Sequence, residues 1–211
     1  KSYPKLQPIS GVRLGSGAAG IRYEGRTDVL MAVFAPGTAV AGVFTKSKTC
    51  SAPVDWCRSA LVEKSARALV VNSGNANAFT GRVGNEAVKA TADAVAALVG
   101  CKPNEVFIAS TGVIGEPLPV RRLTNALPEI YENTGATAWE QAQLFGGLHP
   151  EALQHEGRLG PRPVELEHGH AEAHVAHRNL DRIEVLFHGL RGGSFRAPGG
   201  PAGRRQGGAW Y

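Results

Sequence analysis

Up to about Gln143, the apolar positions recur with two different periods. In "GVRLG" (Gly11–Gly15) and "AGIRYEG" (Ala19–Gly25) apolar and polar residues alternate around a glycine-rich bend, which predicts a hairpin. "DVLMAVFA" (Asp28–Ala35) and "TAVAGVFT" (Thr38–Thr45) are short, nearly continuous apolar runs and predict buried strands. A helical period follows in "APVDWCRSALVEK", where Val54, Cys57, Leu61 and Val62 share one face and Pro53 suits a first turn. "ARALVVN" predicts a strand. Val88, Ala92, Val95 and Val99 then repeat at helical spacing up to Gly100, which closes the helix. "NEVFIAS" predicts a second buried strand, "TGVIGEPLP" a loop, and "VRRLTNALPEIYEN" a helix interrupted or kinked at Pro128. Strands that open as hairpins and then alternate with helices predict an α/β fold with a mixed sheet, rather than a doubly wound parallel one.

Beyond Gln143 the periodicity fails. All seven histidines lie there, no lysine follows Lys102, and the text is dominated by Gly, Arg, His, Ala and Pro. This divides the chain into an α/β part, 1–143, and a tail, 144–211, expected to be mostly irregular because it offers too little apolar surface to offset its ordering entropy. "RIEVLFHGL" is the one strand-like run in it.

Composition narrows the class. No run of about eighteen apolar residues exists, and "KSYPKLQPIS" lacks a secretory apolar stretch, so a soluble, cytoplasmic protein without membrane contact is expected. Lys1 in place of an initiator methionine points to a processed, trimmed or partial chain. Three cysteines without C-x-x-C spacing argue for free thiols rather than disulfides or a zinc ribbon. The net charge of +5 is spread along the chain without interleaved aromatics, so nucleic acid is not an expected partner.

Four stretches carry candidate chemistry. "GSGAAG" (Gly15–Gly20) matches a dinucleotide pattern, but the strand and turn that follow it favour a hairpin bend over a phosphate-binding helix start. "HGHAEAHVAH" would align His170, His174 and His177 on one face if it were helical, although its glycine flanks and missing apolar face favour no metal site. "FIASTGVIGEPLP" delivers Ser110, Thr111 and Gly112 to the end of a strand. A hydroxyl and an unhindered glycine N–H there suit an oxyanion, or they merely end the strand. A Ser110 or Thr111 nucleophile would need a base, and no histidine precedes the tail. In "VNSGNANAFTG", Asn72, Asn75 and Asn77 could line the same cleft or form Asx-turns on their own backbone.

"GVFTKSKTCSAPVDWCR", "VVNSGNANAFTG" and "FIASTGVIGEPLP", in this order and at these separations, resemble the ornithine acetyltransferase family over residues 2–143. The resemblance implies an α/β sandwich with a mixed sheet, made as a precursor that cleaves itself into α and β chains. It further implies that the threonine opening the β chain is the nucleophile, with its own α-amine as base. Acetyl passes from N-acetylornithine to glutamate in a ping-pong cycle, with acetyl-CoA as co-substrate in bifunctional members and no bound cofactor. The family's oxyanion residues fall on Thr111 and Gly112.

The chain departs from that pattern after Gln143. The family's paired threonines, its Lys-Gly-x-Gly-Met-Ile-Ala-Pro stretch and its Ala-Thr cleavage site have no counterpart, and no threonine follows Thr137. An out-of-frame reading of GC-rich DNA from about Leu144 onward accounts for the change in composition, with a genuine diverged extension as its rival. Three functional readings follow: an acetyltransferase α chain completed by a separate β chain, an inactive fragment, or a metal-binding module built on the His-rich tail.

Overall fold

A computed structural model describes residues 8–135, 138, 139 and 145, together with the backbone of two strands at 171–175 and 183–188. Strands β1 (Val12–Gly17), β2 (Val29–Phe34), β4 (Ala68–Asn75) and β5 (Val106–Val113) form a sheet in the order β1-β2-β4-β5. The pairs β1–β2 and β2–β4 are antiparallel and β4–β5 is parallel, so the sheet is mixed, as the alternation of hairpins and helices predicts. β3 (Ala39–Phe44) belongs to a second sheet, in the order β3-β7-β6, with β6 at Ala171–Val175 and β7 at Ile183–His188.

β2 is buried along its whole length because both of its faces are covered. Val29, Met31 and Val33, with Val70, Val106 and Ile108, face helices α2 (Gly81–Val99) and α3 (Val120–Glu132). Leu30, Ala32 and Phe34, with Leu69, Val71, Phe107 and Ala109, face α1 (Ala52–Ala60). Each face presents a stripe of branched or aromatic side chains, and the matching stripe of α2 is the sequence-predicted set Val88, Ala92 and Val95. Gly100 at φ 70° ends α2 in a left-handed cap whose N–H donates to the Ala96 carbonyl.

The structure corrects several sequence expectations. β1 pairs with β2 and not with "AGIRYEG", which forms bends and turns between them. The reason is Asp28: its buried carboxylate accepts the N–H groups of Ala19 and Ile21 at 2.6 and 2.7 Å and holds that segment as a loop. Val62 is 77% exposed instead of facing the core, because α1 stops at Ala60 and a short 3₁₀ turn leads into Lys64 at φ 54°. β3 is only partly buried, with Val43 exposed. Pro128 lies within a continuous α3. In the tail, "RIEVLFHGL" supplies β7, while "HGHAEAHVAH" contributes a strand instead of the helix considered for His170, His174 and His177. His174 pairs with Glu184 in the β6–β7 ladder, and His170 and His177 lie outside the described residues.

Candidate active site

The dinucleotide reading of "GSGAAG" ends at β1, since no helix follows it. Gly15 and Gly17 have a packing role instead. A Cβ on Gly15 would stand 2.6 Å from the Ile130 carbonyl oxygen, and one on Gly17 would stand 2.7 Å from Ile130 Cγ1. These glycines allow α3 to lie directly on β1.

β4 and β5 are neighbours, so the two motifs at their ends do meet. Asn72 lies opposite Ser110, Ser73 opposite Thr111, and Gly74 opposite Gly112. At Gly74/Asn75 the register shifts, a bulge that leaves Thr111 facing both Ser73 and Asn75. The bulge depends on two glycines in contact. Gly74 has φ 109° and Gly112 φ 132°, and a Cβ on Gly112 would meet the Gly74 carbonyl carbon at 2.3 Å.

The three asparagines are deeply buried, and their side chains bind neighbouring segments together. Asn72 Nδ2 donates to the Asn75 carbonyl at 2.9 Å, and Asn72 Oδ1 accepts from Ser110 Oγ at 2.5 Å. Asn75 Nδ2 donates to the Glu116 carbonyl at 3.0 Å, while Asn75 Oδ1 accepts the Asn77 N–H at 2.7 Å, a local Asx-type turn. Asn77 Nδ2 donates to the Gly84 carbonyl at 3.0 Å, and Asn77 Oδ1 accepts from Thr80 Oγ1 at 2.8 Å. An Asx-type turn is therefore present, and it forms part of a buried network joining β4, α2 and the segment after β5.

Thr111 and Gly112 stand apart from this network. Thr111 is partly exposed, Gly112 is exposed, and the Thr111 hydroxyl has no hydrogen-bond partner among the described residues. Side chains of α1 meet the outer side of β5. Trp56 Nε1 donates to the Val106 carbonyl at 2.9 Å, and Cys57 Sγ bridges the Ile108 carbonyl at 3.2 Å and the Ile108 N–H at 3.3 Å. Val106 and Ile108 therefore turn their peptide groups away from β4. Beyond Ile108 the bulge and the positive φ of Gly112 interrupt the regular alternation, and Val113 accepts from Ala76 on the β4 side. Among the described residues β5 is the outermost strand of this sheet.

Asp28, Arg22 and Glu116 also shape this end of the sheet and carry no signal in their own motifs. Asp28 accepts the Ser73 N–H through its backbone oxygen, and Arg22 reaches Glu116 at 2.7 Å across Gly74. A buried acid at the head of an apolar run is the only trace of Asp28 in the sequence. Among the described residues, no cluster of three or more His, Cys, Asp or Glu could hold a metal ion. No helix among them is long and apolar enough to cross a membrane.

The ArgJ family matches residues 13–156, a span that contains every element just described around β4 and β5. The chain belongs to the ArgJ family. This match runs past Gln143, where the motif-level resemblance stops. Among curated relatives named arginine biosynthesis bifunctional protein ArgJ, that of Gluconobacter oxydans is 48% identical over 167 residues, covering 78% of this chain and 39% of the relative. That of Mesorhizobium japonicum is 54% identical over 169 residues, covering 79% and 41%. The chain therefore spans about two fifths of the length of the curated relatives it matches. Among solved structures, the Mycobacterium tuberculosis ornithine acetyltransferase complexed with ornithine is similar at a TM-score of 0.59 and 35% identity, covering 62% of this chain and 72% of that one. The Bacillus halodurans arginine biosynthesis bifunctional protein ArgJ gives the same TM-score at 29% identity, covering 66% and 72%.

Proposed function

We propose that this chain forms the oxyanion wall of an arginine-biosynthesis acetyltransferase that moves acetyl from N-acetylornithine to glutamate, with acetyl-CoA as an alternative donor. The observation that carries the reading is that the two motifs meet at the end of the β4–β5 pair, where Thr111 and Gly112 stand opposite Ser73 and Gly74 and are open to solvent. Two donors fixed on a paired strand next to a buried network need no reorganisation when charge develops on the reacting carbonyl.

The nucleophile is assigned to a companion β chain of the same family, acting in the cytoplasm. Its first threonine attacks the acetyl carbonyl, and its α-amine takes the hydroxyl proton. The carbonyl oxygen becomes an oxyanion facing Thr111 and Gly112. Collapse breaks the C–N bond, the proton passes to the departing ornithine amine, and a threonyl acetate ester remains. The amine of glutamate then attacks this ester, releasing N-acetylglutamate and the free threonine. Asn72, Asn75 and Asn77 support the wall from behind and touch no reacting atom in this scheme.

The test is to mix this chain with the portion of the Mesorhizobium relative that it does not match and to measure ornithine release. The wild-type pair is expected to turn over. Thr111→Ala is expected to lower kcat by about 10²–10³-fold with little change in KM. No turnover in any pairing would favour an inactive fragment. The out-of-frame origin expected from about Leu144 onward also belongs to this proposal, although the family match runs to residue 156. It is checked by reading the gene's other two frames for the lysine and Ala-Thr motifs, whose absence from both would sink it.

A further inference from the structure

Next to the Thr111–Gly112 end of β5, three apolar side chains are directed to solvent. Phe79 is 67% exposed, Val83 51% and Ile114 44%. Three segments bring them to one place. Ala76 N–H donates to the Val113 carbonyl and Gly115 N–H to the Ala78 carbonyl, both at 2.9 Å, so the chain carrying Phe79 runs beside the chain carrying Ile114. The Asn77 amide fastens the first turn of α2, with Val83, to the same segment through Gly84.

Phe79 does not reach solvent without cost. Its φ is 56°, a left-handed conformation that bulky non-glycine residues rarely adopt, and Asn77 two residues before it has φ 47°. The buried Asn77 network holds this turn, and one result is a large ring placed in water. An isolated chain gains nothing from that arrangement.

We propose that Phe79, Val83 and Ile114 form the docking surface for the polypeptide that supplies the part of the ArgJ relatives missing from this chain. The inference rests on the functional reading above and locates its partner. Two observations select this occupant. The relatives extend well beyond this chain's share of about two fifths, so a large body of family sequence lies outside it. The surface also adjoins the Thr111–Gly112 end of β5, which is the outermost strand of its sheet among the described residues. A partner seated there would bring its own residues up to Thr111 and Gly112.

The experiment measures binding of this chain to the unmatched portion of the Mesorhizobium relative by titration calorimetry, beside circular dichroism of each variant. The triple variant Phe79→Ser, Val83→Ser, Ile114→Ser is expected to keep its fold and weaken binding by about 30-fold or more. Phe79→Gly guards against misfolding. Glycine relieves the positive φ, so the free chain should melt at a higher temperature while still binding more weakly. Val62→Ser, on a solvent-facing turn elsewhere, serves as a control that leaves binding unchanged. If wild type binds and the variants bind equally well, the surface assignment is overturned while the partner reading stands. If wild type does not bind at all, both are overturned.

Discussion

Gly112 shows how a single residue sets the site. A Cβ there would overlap the Gly74 carbonyl carbon, so Gly112→Ala is expected to force β4 and β5 apart and to cost about 2 kcal/mol or more, read as a lower thermal midpoint. Cys57 gives a second check, on pH. Burial pushes its thiol from the ordinary 9.0 up to about 12, while the hydrogen bond from the Ile108 N–H works in the opposite direction. Between these values the folded chain holds a proton that the unfolded chain releases. Stability is therefore unaffected below pH 9 and falls as pH rises towards 12, by up to about 4 kcal/mol. Denaturant titrations at stepped pH measure the slope, and a Cys57→Ala chain should lack this component. Residue roles were unevenly legible. The residue pattern at Thr111 and Gly112 left an oxyanion site and a plain strand end both open, and only the family resemblance singled these two residues out. The tasks of Asn72, Asn75 and Asn77 could not, because their partners at Ser110, Glu116 and Gly84 become neighbours only through the fold.

At the scale of elements, alternation and helical spacing revealed β2, α2 and the core of β5, because each buries a regular stripe. Pairing was harder to read. β1 and "AGIRYEG" alternate like a hairpin, yet Asp28 draws the second segment into a loop and leaves β2 as the partner. β4 and β5 also run on through "NSGN" and "STGV", where small polar residues imitate a turn while the strands remain paired through a bulge. Side chains of α1 bond the outward peptide groups of Val106 and Ile108 on β5, the outermost strand of its sheet among the described residues. Trp56→Phe keeps most of the ring's apolar contact and removes the donor to the Val106 carbonyl, so a loss of about 1 kcal/mol is expected in equilibrium unfolding.

For the whole molecule, β5 is the outermost strand of its sheet among the described residues and its end lies beside Phe79, Val83 and Ile114, a combination that invites pairing with another chain. Kept without a companion, the protein is expected to self-associate, with a sedimentation coefficient that rises with concentration. A sharply melting monomer at every concentration would count against this. The β4–α2–β5 crossover has a further consequence, in time rather than space. Asn72 and Ser110 are hydrogen-bonded although 38 residues separate them, and the intervening chain is largely α2. Loop-closure entropy must be met before such a contact forms, so local turns and α2 can appear early while the joined ends of β4 and β5 wait for the crossover to close. In refolding, the proposed oxyanion wall would then be among the last parts of this chain to assemble.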